Sequence, residues 1–161
     1  MKFTIENLKL CQMKKSIFLF ISVSMLFSTY STAQPQLSAE ILKQLETAEK
    51  DMINALSNGD SAAFKKIAGK DYMDINANGI KMDLPSMLND LPNFKGLSVN
   101  FSEQSQRVYG NFVLRTGKAK LSAGGQLIAE IFYTQGWVYR DKKWQFVHWQ
   151  GTMTKDFLQM K

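Results

Sequence analysis

The sequence predicts an α+β fold, helices first and an antiparallel sheet after, on three observations. Apolar residues recur at spacings of one, three and four from Ile41 to Leu56, then switch to a spacing of two from Leu97 onward. Glycine, asparagine and proline punctuate the junctions between these segments. The 161 residues, 45% hydrophobic and 21% charged, suit one globular domain with a real core.

The N-terminus has a different composition. From Met13 the chain reads MKKSIFLFISVSMLFSTYSTAQ, with Lys14 and Lys15 ahead of an apolar run, Ile17 to Phe27, and then small residues up to Ala33. This is the pattern of a secretory signal peptide, cleaved after Ala33, so residues 1–33 are expected to be a signal region and the protein to be exported, periplasmic or secreted. The apolar run is shorter than the roughly 20 residues that span a bilayer, so no membrane anchor is expected after cleavage. Residues 1–12 fit poorly ahead of such a signal, which points to Met13 as the true start. The single cysteine, Cys11, precedes the run. The mature chain then has neither a disulfide nor a thiol nucleophile, and its core alone must hold it together.

Charge excludes one class of partner. The formal net charge of +6 falls on cleavage to 16 basic against 13 acidic residues. The remaining lysines come in scattered pairs such as Lys65-Lys66 and Lys142-Lys143, a solvated surface rather than a nucleic-acid footprint.

Each element follows from local chemistry. Ser38 caps a long amphipathic helix carrying Ile41, Leu42, Leu45, Ala48, Met52, Ile53 and Leu56, and Ser57-Asn58-Gly59 ends it. Asp60 caps a second, short helix with Ala63, Phe64 and Ile67, closed by Gly69. Tyr72 to Asn76 alternates into the turn Asn78-Gly79, a short strand and hairpin. Asp83 caps a third helix, Leu84 to Leu91, stopped by Pro92. Leu97, Val99 and Phe101, and then the alternating run Val108 to Arg115, read as antiparallel strands. Ala123-Gly124-Gly125 turns into a long strand, Gln126 to Arg140, and the turn Asp141-Lys142 leads to the last strand, Trp144 to Thr152.

That turn pair sets an expected register: Tyr139 faces Trp144, Trp137 faces Phe146, Gln135 faces His148 and Tyr133 faces Gln150, all on one face. Phe132, Val138, Val147 and Trp149 occupy the other. Both faces are rich in apolar residues, which predicts a sheet covered by its own helices on one side and by a helix or a second copy on the other. Gly136 is expected to leave room for a large neighbour such as Trp149, or to mark a bend.

The order of elements, the motif GWVYRDKKWQFVHWQGT and the first strand and turn, YMDINANG, resemble the nuclear transport factor 2-like superfamily, closest to its SnoaL-like branch and to the association domain of calcium/calmodulin-dependent kinase. The resemblance covers residues 38–154 and leaves 155–161 as a C-terminal tail. It implies a cystatin-like cone, a curved antiparallel sheet closed by N-terminal helices around a pocket, and a homodimer formed through the sheet face. The ketosteroid-isomerase branch places a proton-shuttling aspartate three residues before the glycine of the first turn. That position here is Asn76, and an amide cannot take a proton at neutral pH. Asp74, on the same strand face as Tyr72 and Asn76, is the substitute on offer.

His148, the only histidine, is the other catalytic candidate, because it titrates near neutral pH. Its more ordinary reading is a strand histidine hydrogen-bonded to Gln135, Gln150 or backbone. The residues expected to line a ligand pocket are Tyr72, Asn76, Gln135, Trp137, Tyr139, His148 and Gln150, the aromatics serving more ordinarily as core. Arg115 suits a carboxylate clamp or, more simply, an exposed edge. No cluster of His, Cys and carboxylates has metal-ligand spacing, so no metal is expected. Phosphate-loop, dinucleotide and G-x-S-x-G signatures are missing, so no cofactor is expected. The sequence favours an exported binding or assembly module for a small apolar or amphipathic molecule over an enzyme. The alternative is a cofactor-free isomerase, dehydratase or hydrolase using Asp74 or His148.

Overall fold

Ser38 begins the first helix as expected: its Oγ accepts the Ile41 N–H at 3.3 Å at the head of α1 (Ala39–Asn58). The computed structural model describes residues 37–159, so the expected signal region, the start at Met13 and the cleavage after Ala33 lie outside the described residues. Gly59, at φ 65°, ends α1, and the Asp60 N–H bonds back to Ala55 O at 2.9 Å, a closure that the left-handed glycine permits. Asp60 then caps α2 (Ser61–Ile67), its Oδ1 accepting from Ala63 N at 2.9 Å.

β1 (Ala68–Ile75) follows directly and pairs with β2 (Lys81–Asp83) across the Asn78-Gly79 turn. Asp83 caps α3 (Leu84–Asp90), and a short 3-10 turn, Leu91–Phe94, carries Pro92. The sheet continues with β3 (Leu97–Tyr109), β4 (Phe112–Ala123), β5 (Gln126–Arg140) and β6 (Lys143–Met153). The run Val108 to Arg115, which alternates like a single strand, is split by a two-residue turn at Gly110-Asn111, with Gly110 at φ 61°. Glycine adopts that backbone without strain, and the turn outweighs the alternation. Residues 155–159, expected as tail, form a short helix, α4 (Lys155–Gln159), that buries Phe157.

The six strands lie in the order β2-β1-β6-β5-β4-β3. All neighbours are antiparallel except β1 and β6, which run parallel with Asp74 opposite Trp149. The expected sheet is therefore mixed at one pairing. Hairpin turns dictate antiparallel neighbours, whereas no turn joins β1 to β6 and only the tertiary fold sets their direction.

The last hairpin starts in the expected register and then leaves it. Asp141 and Lys142 take φ 54° and 60°, and Tyr139 and Trp137 face Trp144 and Phe146. Val147 then has no partner across the hairpin, so Gly136 faces His148, Gln135 faces Trp149, Thr134 faces Gln150 and Tyr133 faces Gly151. One extra residue in a period-two strand exchanges its faces. Trp149 thereby joins the helix-covered face beside Gln135 and Tyr133, while His148 and Gln150 move to the opposite one. Gly136 does mark this irregularity, but its close neighbours are not Trp149: a Cβ there would lie 2.9 Å from His148 Cβ and 3.1 Å from the Phe112 ring.

The main core forms between the helices and the helix-covered face, where Leu45, Met52, Phe64, Met87 and Leu91 meet Tyr72, Val113, Trp137, Trp144 and Phe146. A smaller cluster of Ala119, Ile131 and Tyr133 extends it along β4 and β5.

Candidate functional site

Under the first turns of α1 the interior is solid. Trp144 Nε1 donates to Ile41 O at 2.7 Å, Tyr139 packs edge-on against Trp144 at 5.3 Å, and Trp137 is completely buried. A band of buried polar groups comes next. Glu49, on the buried stripe of α1, meets Arg115 of β4 at 2.6 Å, and Arg115 Nε donates to Gln106 Oε1 at 3.0 Å. Arg115 is thus neither an exposed edge residue nor a ligand clamp: at 8% exposure it lies inside the domain and holds Glu49 of α1. Gln135 Oε1 accepts from Trp137 Nε1 at 3.1 Å, and Gln135 Nε2 and Glu49 Oε1 have no hydrogen-bond partner.

One turn further along α1 the interior is hollow. Met52, Ile53 and Leu56 roof a cavity of about 310 Å³, near the lower end of the range for small-molecule sites, ~300–1,000 Å³. Its floor and walls are apolar and aromatic, with Phe101, Ile131, Phe146 and Trp149 from the sheet and Phe64 and Met87 from the short helices. Trp149 is held by stacking on Tyr133, centroids 5.2 Å apart and planes 6° from parallel, while the Tyr133 hydroxyl accepts from Gln104 Nε2 at 3.0 Å.

Three of the expected residues line this cavity: Tyr72, Asp74 and Asn76. They alternate along β1 and its extension, so they share a face. Tyr72 packs edge-on against Phe64 at 5.5 Å, and burial, with the Asp74 charge nearby, raises its hydroxyl above the usual range. Asn76 Oδ1 accepts the N–H groups of Asn78 and Ile80, both at 3.0 Å, which commits the oxygen to the turn and leaves the Nδ2 amino group as what the side chain can donate. Asp74 is the anomaly. It is 5% exposed, its Oδ1 has no hydrogen-bond partner, and burial pushes its carboxyl up to about 7. A carboxyl titrating near neutrality on a cavity wall can accept a ligand's donor or exchange a proton.

The other expected residues do not reach the cavity. Gln135, Trp137 and Tyr139 are on the helix-covered face but fill the band and the solid core. His148 and Gln150 are on the opposite face, His148 beside Met73 and Gln150 beside Ile75. Burial holds the His148 imidazole below its ordinary value, partly offset by a hydrogen bond to the Met73 backbone. His148 and Asp74 sit on neighbouring strands with their side chains on opposite sides of the sheet, so the fold does not assemble them as an acid–base pair.

Sequence reasoning missed Trp149 and Phe101 as cavity walls. The bulge hid the first, while alternation with Leu97 and Val99 was the available signal for the second. Among the described residues, no group of three or more His, Cys, Asp or Glu could hold a metal ion, and no helix is long and apolar enough to cross a membrane.

No sequence family matches this chain, and no curated protein does. Solved structures do. A nuclear transport factor 2-like protein from Cytophaga hutchinsonii, 14% identical, superposes with a TM-score of 0.62 over 73% of this chain and 100% of its own. A protein of unknown function with a cystatin-like fold from Nostoc punctiforme, 10% identical, gives 0.64 over 74% and 96%. A protein provisionally named a dehydratase of the nuclear transport factor 2-like family, from Streptomyces avermitilis, is 11% identical and gives 0.62 over 71% and 96%. At such identities the likeness shows the fold, a cystatin-like cone of N-terminal helices on a curved sheet.

Proposed function

We propose that this cone, of the nuclear transport factor 2-like fold, is a binding module whose cavity holds a small apolar or amphipathic molecule and whose open sheet face pairs with a second copy. One observation carries the reading: a hollow of about 310 Å³ has apolar and aromatic walls and a single carboxylate, Asp74, left without a partner. A solid core would bury those walls against each other, and an unsatisfied acid inside it would be destabilising without use. Pairing is supported by the other face of the sheet, where Phe112, Leu114, Phe132 and Val138 lie outside both core clusters and Phe132 is 52% exposed. The signal-like run after Met13 supports action outside the cytoplasm.

A second reading has its own support. The Asp74 carboxyl, raised to about 7, is suited to take a proton from a bound molecule and return it elsewhere, with Asn76 Nδ2 donating to the oxygen that gains charge. This is the cofactor-free isomerase, dehydratase or hydrolase alternative, resting on Asp74 alone because His148 lies off the cavity. A solved neighbour that bears a dehydratase name makes it worth keeping.

Native mass spectrometry of the protein purified from its own compartment tests the binding module. The expected result is a released small molecule and a two-copy mass. Ala129→Phe, which fills the cavity from its wall, is expected to lose the molecule and remain a two-copy assembly. Protein that emerges consistently empty would refute the reading.

A further inference from the structure

We infer that the cavity's ligand is a cation, an amine whose ammonium group sits against Asp74 and whose apolar body fills the hollow; this rests on the binding reading above. Four observations converge on it. Among the lining residues Asp74 is the only carboxylate, and no lysine, arginine or histidine faces it. Its Oδ1 is sealed from solvent and has no hydrogen-bond donor. The one buried arginine, Arg115, is already taken by Glu49 at 2.6 Å and does not line the cavity. The walls nearest in register are aromatic: Trp149 lies opposite Asp74 on β6, and Tyr72 and Phe146 complete the face.

These features select by charge. In an apolar hollow an uncompensated carboxylate repels an anion and gains little from a neutral molecule, whereas a cation restores the stabilisation lost with water. Aromatic faces add attraction for an ammonium that they would not offer to a carboxylate. Tyr72 is the only other titratable group on the walls, and burial keeps it neutral. The length available suits a short chain or a single ring, since the cavity is near the lower end of the usual size range.

The test compares three probes with one tail and different heads: octylamine, octanol and octanoate, titrated calorimetrically into the purified protein at pH 8. Octylamine is expected to bind about tenfold or more tightly than octanol, the margin of one charge-assisted hydrogen bond, and octanoate not at all. Asp74→Asn is expected to bring octylamine down to the octanol level while octanol binding stays unchanged. Octanol or octanoate binding as tightly as the amine overturns the cation, as does an amine preference that survives Asp74→Asn. If none of the three binds, the binding reading itself falls. The wild-type comparison decides between these outcomes even where the variant does not fold.

Discussion

Two buried carboxylates in this domain are treated in opposite ways. Glu49 is ion-paired to Arg115 at 2.6 Å, whereas Asp74 faces a hollow with nothing to pair with. The difference has a measurable consequence through proton linkage. The carboxyl of Asp74 rises from an ordinary 3.8 to about 7 on folding, so between those values the folded state binds more protons than the unfolded one. Stability is then greatest in acid on this account and declines as pH rises from about 4 to about 7. Asp74→Asn removes the penalty, and the variant is expected to be more stable than wild type at pH 8, by up to roughly 4 kcal/mol, and equal to it near pH 4. Urea denaturation at the two pH values checks this; a difference that does not change with pH would defeat it. Asp74 was legible in sequence as an acid sharing the strand face of Tyr72. The Glu49–Arg115 pair was not, because each charge falls on an inward position of its own element and only their encounter across 66 residues neutralises both.

At the scale of elements, one bulge decides which side chains form the site. With Val147 unpaired, the period of β6 slips by one, so Trp149 enters the cavity and His148 leaves it. Gly136 makes room for this on the opposite strand, since a Cβ would lie 2.9 Å from His148 Cβ and 3.1 Å from the Phe112 ring. Gly136→Ala is therefore expected to destabilise the domain by about 1–3 kcal/mol, because two well-packed strands must shift to admit a methyl group. Thermal unfolding reads the loss, and an unchanged midpoint would mean that the bulge is not held by close packing. The turn at Asp141-Lys142 and the first two pairs of the hairpin were legible from turn chemistry. The slip beyond them was not, because a glycine in a strand announces an irregularity without saying which strand carries the extra residue.

Across the whole molecule, the sheet separates two surfaces with different proposed uses. The helix-covered face holds the cavity, and the other face presents Tyr109 beside half-buried Phe112 and Val138 and, further along β5, Phe132, 52% exposed with Lys118 over its ring. Exposed apolar patches of this kind mark association surfaces. Phe132→Glu is expected to convert the proposed dimer to a monomer in light scattering after size-exclusion chromatography, and to leave octylamine binding intact, since Phe132 does not line the cavity. A monomeric wild type would remove this surface as an interface.

Sequence alone determined the α+β order, the caps and most turns, because each of these is written in periods and turn residues a few positions apart, while the cone followed from the resemblance to a known fold family and not from spacing. Only the tertiary structure decided the parallel β1–β6 pairing, the Val147 bulge and the hollow beneath α1. The parallel pairing joins residues about 75 positions apart, and all three features are choices made by packing rather than by local preference.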